Sequence, residues 1–171
     1  MTVNRAPVSR ADFLAIMATF PTGVTIVTAL DGDDRPVGLA STAFSSVSAD
    51  PPLVLVCVDR SSRTLPALLE RNAFCVNFLK RDRHALCVVF ASKADEKFRD
   101  VAWRPAANGM PVLYEDSLAH VECTTENVVE AGDHLIVIGR VVGGRPPAGG
   151  EEPLAYYRRS FGGFARDELP A

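Results

Sequence analysis

The residues from Val37 to Val47, VGLASTAFSSV, are the most restrictive passage in this chain of 171 residues. They read as a β-strand, yet Ala40, Ser41, Thr42, Ala43, Ser45 and Ser46 are all small or hydroxylated. A central strand ordinarily carries bulky, β-branched side chains that fill a core. A strand without bulk lets something approach its backbone closely. Two neighbours fit that description. One is a helix packed tightly against it. The other is a flat ligand whose polar edge is met by backbone N–H and C=O groups and by the hydroxyls.

The surroundings are mostly strands. Gly23–Leu30, GVTIVTAL, is rich in β-branched residues and predicts a strand, with the turn-rich Asp31–Pro36 as a hairpin connection. After Asp50-Pro51-Pro52, the run Leu53–Asp59 predicts a strand buried on both faces, because it is continuously apolar. Phe74–Leu79 predicts another. In Ser117–Thr124, Ala119, Val121 and Cys123 alternate with polar neighbours, and His134–Gly144 is the expected partner strand, joined through Glu126–Asp133. Helices are expected at three places. Ser9 caps the first in a variant capping box with Asp12, and Phe13, Ile16, Met17 and Phe20 give it one apolar face. The others are Ser61–Asn72 and Arg81–Lys93, with a further helical turn over Lys93–Val101. The tail from Pro153 to Phe164 carries aromatics without a clear period.

This order contains no βαβ alternation, so a parallel dinucleotide-binding sheet is not expected. Neither a GxGxxG nor a P-loop is present. A mainly β (α+β) fold fits better, an antiparallel, closed or nearly closed barrel with helical insertions.

Composition narrows the function. Hydrophobic residues at 47% and charged residues at 23% are ordinary globular values, and the length suits one domain over residues 1–171. The net charge is −3 and no Lys/Arg run exceeds two, which argues against a nucleic-acid groove. No apolar run approaches the ~20 residues of a spanning helix. MTVNRAPVSRADF has no apolar signal region, so a cytoplasmic location is expected. Cys57, Cys75, Cys87 and Cys123 are widely spaced among apolar neighbours and read as small hydrophobes rather than metal ligands.

Two further segments carry possible chemistry. Asp59-Arg60-Ser61-Ser62-Arg63-Thr64 stands between a strand and a helix. It reads either as a phosphate cradle, with hydroxyl donors and arginine charge, or as a plain serine cap. Gly132-Asp133-His134 is a turn entering a strand, where His134 reads as a general acid, a stacking partner, a metal ligand or a bystander. No G-x-S-x-G nucleophile elbow occurs.

Five segments together resemble one family: Phe20–Ala29, Gly38–Ser62, Phe74–Leu79, Ala131–Val141 and Pro153–Phe161. In this order they are similar to the flavin reductase components of two-component flavin-dependent monooxygenases, over about residues 10–164. The resemblance implies an FMN-binding split barrel, usually a homodimer. It implies FMN or FAD held by Ala40, Ser41, Thr42, Ala43, Ser45 and Ser46, by Asp59, Arg60, Ser61, Ser62 and Thr64, and by Phe90, Ala91 and Lys97. NADH or NADPH is implied at Gly132, Asp133 and His134, helped by Tyr156, Arg158 and Arg159. His134 is then the residue that orients the nicotinamide nucleotide. Reduced flavin is expected to diffuse to a separate monooxygenase. Many relatives carry Thr-Ala-Asn-Ser where this chain has Ala40-Ser41-Thr42-Ala43, so ring contacts are expected from backbone groups. The alternative the resemblance leaves is a non-catalytic flavin- or haem-binding barrel. A pyridoxamine-phosphate-type oxidase would call for an extra basic cluster, and none stands out.

Overall fold

A computed structural model describes residues 8–164. Ser9 starts the first helix as its sequence implies: its hydroxyl accepts the Asp12 N–H at 3.1 Å, and α1 runs over Arg10–Met17. The apolar residues of α1 meet no core. Phe13, Ile16 and Phe20, just beyond its end, are 51%, 59% and 65% exposed.

The strands follow in chain order: β1 (Thr22–Gly23), β2 (Thr25–Leu30), β3 (Pro36–Ser41), β4 (Phe44–Ala49) and β5 (Pro52–Asp59). Next come α2 (Leu65–Arg71), β6 (Ala73–Leu79), α3 (His84–Ala91), β7 (Arg104–Pro105) and β8 (Pro111–Val112). The chain closes with β9 (Ser117–Ala131), β10 (His134–Arg145), β11 (Ala155–Tyr157) and β12 (Ser160–Gly162).

Seven strands form one antiparallel sheet in the order β3-β2-β6-β9-β10-β5-β4. β3 and β4 therefore stand at opposite edges, although only Thr42 and Ala43 separate them in the chain. The sheet has to curl until its edges approach, and at the seam β3 packs close to β5; there the Cys57 N–H donates to the Ala43 carbonyl at 3.0 Å, carrying the β4–β5 ladder one residue beyond β4. This is the expected barrel, split at one edge. The single strand expected over Val37–Val47 is thus two. Ser41 is the physical reason, because its hydroxyl accepts the Ala43 N–H at 3.1 Å and turns the backbone out of the ladder.

Three other expectations are corrected. β5 is not buried on both faces: Val54, Val56 and Val58 are buried while Leu53, Leu55 and Cys57 between them are half-buried. One side faces the core and the other the barrel surface. The residues Glu126–Ala131 are strand, not connection, since β9 pairs with β10 up to Ala131–His134. Only Gly132 and Asp133 make the turn. Gly132 has φ +63°, as the first central position of a type II′ hairpin demands. The segment Lys93–Val101 forms turns without a helix. The tail is a hairpin of β11 and β12 paired to β1, with Arg158 and Arg159 at φ 46° and 63° in its tight turn.

The main core fills the barrel with Val27, Val56, Val58, Phe74, Val76, Cys123 and Val137. A second cluster under α3 holds Ile26, Leu79, Phe90, Leu113 and Leu154. Each large side chain so buried contributes roughly 1.5–3 kcal/mol. Phe90 lies so close to β3 that a Cβ on Gly38 would stand 2.8 Å from its ring. Cys75, Cys87 and Cys123 are buried, and Cys57 is half-buried. Burial pushes the Cys123 thiol up to about 12, so it stays protonated and acts as a hydrophobe.

Candidate functional site

The crossing from β3 to β4 opens a cleft of about 490 Å³. Its floor is Leu39, Ala40, Ser41, Thr42 and Ala43. The end of β5 and the following turn give one wall, with Cys57, Asp59, Ser61, Ser62 and Arg63. The end of α3 and the segment beyond give the other, with Phe90, Ala91, Ser92, Lys93 and Lys97, and His134 stands at the margin. Thr42, Ala43, Asp59, Ser61, Ala91 and Lys93 are exposed, so the cleft is open to solvent.

Asp59 organises the β5 wall. Its Oδ1 accepts both the N–H and the hydroxyl of Ser61, each at 2.7 Å. The Ser61 hydroxyl holds the Asp59 carboxyl below its usual range, aided by the Ser61 N–H and by the charges of His134 and Lys93. The Ser62 N–H donates to the Asp59 carbonyl at 2.9 Å, and Ser62 Oγ accepts from the Thr64 N–H at 3.3 Å. This tight turn delays α2 to Leu65, so Ser61 and Ser62 precede the helix instead of opening it. Thr64 is buried behind the wall at 4% exposure.

His134 begins β10 and lies directly opposite Asp59 in the ladder. Its Nδ1 sits 2.7 Å from Asp133 Oδ1, which leaves Nε2 as the ring nitrogen free of that contact. The hydrogen bond to His134 in turn holds the Asp133 carboxyl below its usual range. Arg60 points away from the cleft to the same hairpin. Its Nε donates to the Gly132 carbonyl at 3.1 Å, its guanidinium pairs with Glu130 at 3.0 Å, and its backbone N–H donates to the Asp133 carbonyl at 3.0 Å.

The opposite wall is tied down by two cations. Arg63 bonds the carboxylate of Asp95 and the carbonyls of Lys93 and Ala94, the last at 3.2 Å. Lys97 Nζ donates to the Phe90 carbonyl at 2.8 Å and to the Gly38 carbonyl at 3.2 Å. Burial, and then the charge of Arg63, push the Lys97 ammonium below the usual lysine range.

The structure therefore gathers Ala40, Ser41, Thr42, Ala43, Asp59, Ser61, Ser62, Phe90, Ala91, Lys97 and His134 around one cleft. Ser45 and Ser46 lie past the seam on β4, exposed. Gly132 and Asp133 form the hairpin tip beside the cleft, and Arg60 braces that tip. Tyr156, Arg158 and Arg159 belong to the tail hairpin and do not line the cleft. Sequence reasoning missed Leu39, Cys57, Ser92 and Lys93 and gave Arg63 no firm place. Cys57 was within reach, because strand alternation puts it on the Asp59 side of β5.

These residues fit a flavin. A cleft of this volume is ordinary for a small-molecule site. From Ala40 to Ala43 its floor has no bulk to exclude a flat ring, and at Thr42 and Ala43 the backbone leaves the β3 ladder. Ser61, Ser62 and the cations of Lys93, Lys97 and Arg63 suit a phosphate. Among the described residues no group of His, Cys, Asp and Glu is arranged to hold a metal. No helix among them is long and apolar enough to cross a membrane.

Comparison with known proteins agrees with this geometry. A family model described as "Flavin reductase like domain" matches residues 17–165. A flavin reductase (NADH) from Kitasatospora aureofaciens is 48% identical, over 92% of this chain and 83% of that protein. The crystal structure of nitrilotriacetate monooxygenase component B from Mycobacterium thermoresistibile superposes with a TM-score of 0.88. It is 36% identical, over 95% of this chain and 90% of the other. The Streptomyces globisporus NADH:FAD oxidoreductase SgcE6, in complex with NAD and FAD fragments, gives a TM-score of 0.86. The identity is 30%, over 95% of this chain and 99% of that one. With the split barrel and its seam cleft, these matches establish that the chain belongs to the flavin reductase-like domain family.

Proposed function

We propose that the seam cleft seats the flavin ring on the backbone of Leu39–Ala43, with the flavin phosphate toward Ser61, Ser62 and Lys97 and the nicotinamide nucleotide toward His134. The protein is an NAD(P)H-dependent flavin reductase. The bound pair supplies hydride transfer from nicotinamide C4 to flavin N5, which needs alignment more than a strong acid or base. The task of this chain is accordingly positional. Small floor residues let the ring lie close. Asp59 fixes Ser61 through two hydrogen bonds. His134, held by Asp133, presents a polar edge to the nicotinamide side.

The observation that carries this reading is the bulk-free crossing at Ala40–Ala43, exposed to solvent on one side. An open cleft suits a flavin that arrives, is reduced and leaves, which is what a separate flavin-dependent monooxygenase requires of its reductase. The reading includes a homodimer in the cytoplasm. The exposed apolar residues of α1, Phe13, Ile16 and Met17 among them, support the dimer, since such a patch is commonly covered by a partner.

Steady-state oxidation of NADH and of NADPH, each with FMN, FAD and riboflavin, tests the activity. Turnover that depends on added flavin is expected. A flat trace with all three flavins would leave only a binding module.

A further inference from the structure

The cleft margin at His134 is acidic. Asp59 at the end of β5, Glu130 near the end of β9 and Asp133 in the hairpin turn are all exposed. The hydrogen bond to His134, outweighing the charge of Asp59, keeps the Asp133 carboxyl below its usual range. Against these carboxylates the hairpin is met by one guanidinium, that of Arg60, and it is already engaged. Arg60 pairs with Glu130 Oε2 at 3.0 Å and donates through Nε to the Gly132 carbonyl at 3.1 Å, outside the cleft. The other cations lie elsewhere. Arg63 bonds Asp95 and the carbonyls of Lys93 and Ala94, and Lys97 bonds those of Phe90 and Gly38. Lys93 stands on that wall too, and its charge is met by Asp59. Arg158 and Arg159 turn the tail hairpin and do not line the cleft.

We propose that the β9–β10 hairpin selects NADH over NADPH, with Glu130 and Asp133 setting the preference. This rests on the placement of the nicotinamide nucleotide at His134. Arg63 ties the two walls together on the side of the cleft that borders a neighbouring cavity, which His134 does not line. A dinucleotide whose nicotinamide enters beside His134 therefore leaves its adenosine end over the hairpin. The two coenzymes differ at the adenosine 2′ position. NADH has a hydroxyl there, which donates to a carboxylate, and Asp133 keeps Oδ2 for it, because His134 engages Oδ1. NADPH has a phosphate, which adds about two negative charges. That group enters a field with three carboxylates and one cation, and it finds no free guanidinium to grip it. Glu130 acts twice. It adds a negative charge, and it holds Arg60 in an ion pair away from a phosphate.

Initial rates at saturating flavin, with NADH and with NADPH, give kcat/KM for each coenzyme in the wild type, Glu130→Gln and Glu130→Lys. Glu130 is exposed and outside the cleft, so both variants keep the core, and Arg60 keeps its bond to Gly132. At about 0.01 M KCl the wild type is expected to favour NADH at least about tenfold. The preference should shrink as KCl rises to about 0.1 M and the screening length falls from ~30 to ~10 Å. Each variant should raise kcat/KM for NADPH at least about threefold more than for NADH, Glu130→Lys the more strongly. A wild type that favours NADPH or neither coenzyme would overturn the proposal. So would a preference for NADH that grows with salt, or variants that move both coenzymes alike. If His134→Ala leaves the KM for NADH unchanged, the nucleotide does not lie at this hairpin, and the placement beneath the proposal is what fails. If neither coenzyme supports turnover with flavin, the reductase reading fails and the selection with it.

Discussion

His134 faces Asp59 directly across the ladder between β10 and β5, and both line the same cleft. Ser61 keeps Asp59 ionised, so a fixed negative charge stands beside the imidazole at the cleft margin. On its other side, Asp133 holds Nδ1. Asp133, in the two-residue turn between β9 and β10, thus orients the ring, while Asp59 at the end of β5 sets a charge beside it.

His134→Ala is expected to raise the apparent KM for NADH about tenfold, the loss of one polar contact to the nucleotide, with the flavin KM changed less than about twofold. Initial rates with each substrate varied in turn measure this. An unchanged nicotinamide dependence sinks the role.

Arg60→Ala is expected to act at one remove, since Arg60 braces the Gly132–Asp133 turn and does not line the cleft. The KM for NADH should rise severalfold and less than in His134→Ala, with the flavin KM unaffected. Arg60→Lys keeps a cation near Glu130 but lacks the Nε–H to Gly132, and should fall between. A selective rise in the flavin KM would mean that Arg60 reaches the flavin phosphate after all.

Gly139→Ala probes the barrel core. The added Cβ would lie 2.5 Å from Phe74 Cζ and 2.9 Å from Cys123 Cβ, so the ring or the strand has to shift. Urea unfolding should show a loss of ~1–3 kcal/mol. Gly23→Ala, with nothing within 4 Å of the new methyl, is the control.

His120 supplies a pH dependence of stability. It is 3% exposed, its Nδ1 has no hydrogen-bond partner among the described residues, and its Nε2 is 3.7 Å from Glu122 Oε1. Burial pushes its pKa below the ordinary 6.5, with Glu122 opposing. The unfolded chain therefore binds a proton more readily than the folded one. The stabilisation is complete above about pH 6.5 and is lost as pH falls below it, by at most ~1.4 kcal/mol per pH unit. His120→Gln should flatten this part of the profile of unfolding free energy against pH. An equal acid slope in both proteins contradicts the assignment.

Periodicity and breakers made most strands legible. β2 is a β-branched run that ends at Asp31, and β6 is a mostly apolar run that opens after Asn72. The seam was not legible. A two-residue crossing at Thr42-Ala43 leaves no compositional mark, and the approach of β3 to β5 there is set by the curl of the whole sheet. The β9–β10 ribbon was under-read because Glu126 and Asn127 look like loop residues, while strand pairing with β10 overrides that preference. Arg60 and Arg63 show the limit for the site. They share one turn and one chemistry, yet one braces the His134 hairpin and the other the Lys93–Asp95 segment. Only tertiary geometry separates them.

Anaerobic mixing of the protein with FAD and excess NADH, followed through the absorbance of oxidised flavin, tests the central claim most directly when wild type is compared with Thr42→Trp. Thr42 is exposed on the cleft floor, so the indole fills the ring site without entering the core. The wild type should bleach the flavin with equimolar NADH consumption, and the variant, folded to the same thermal midpoint, should not. Flavin reduction by Thr42→Trp at the wild-type rate would place the chemistry somewhere other than this cleft.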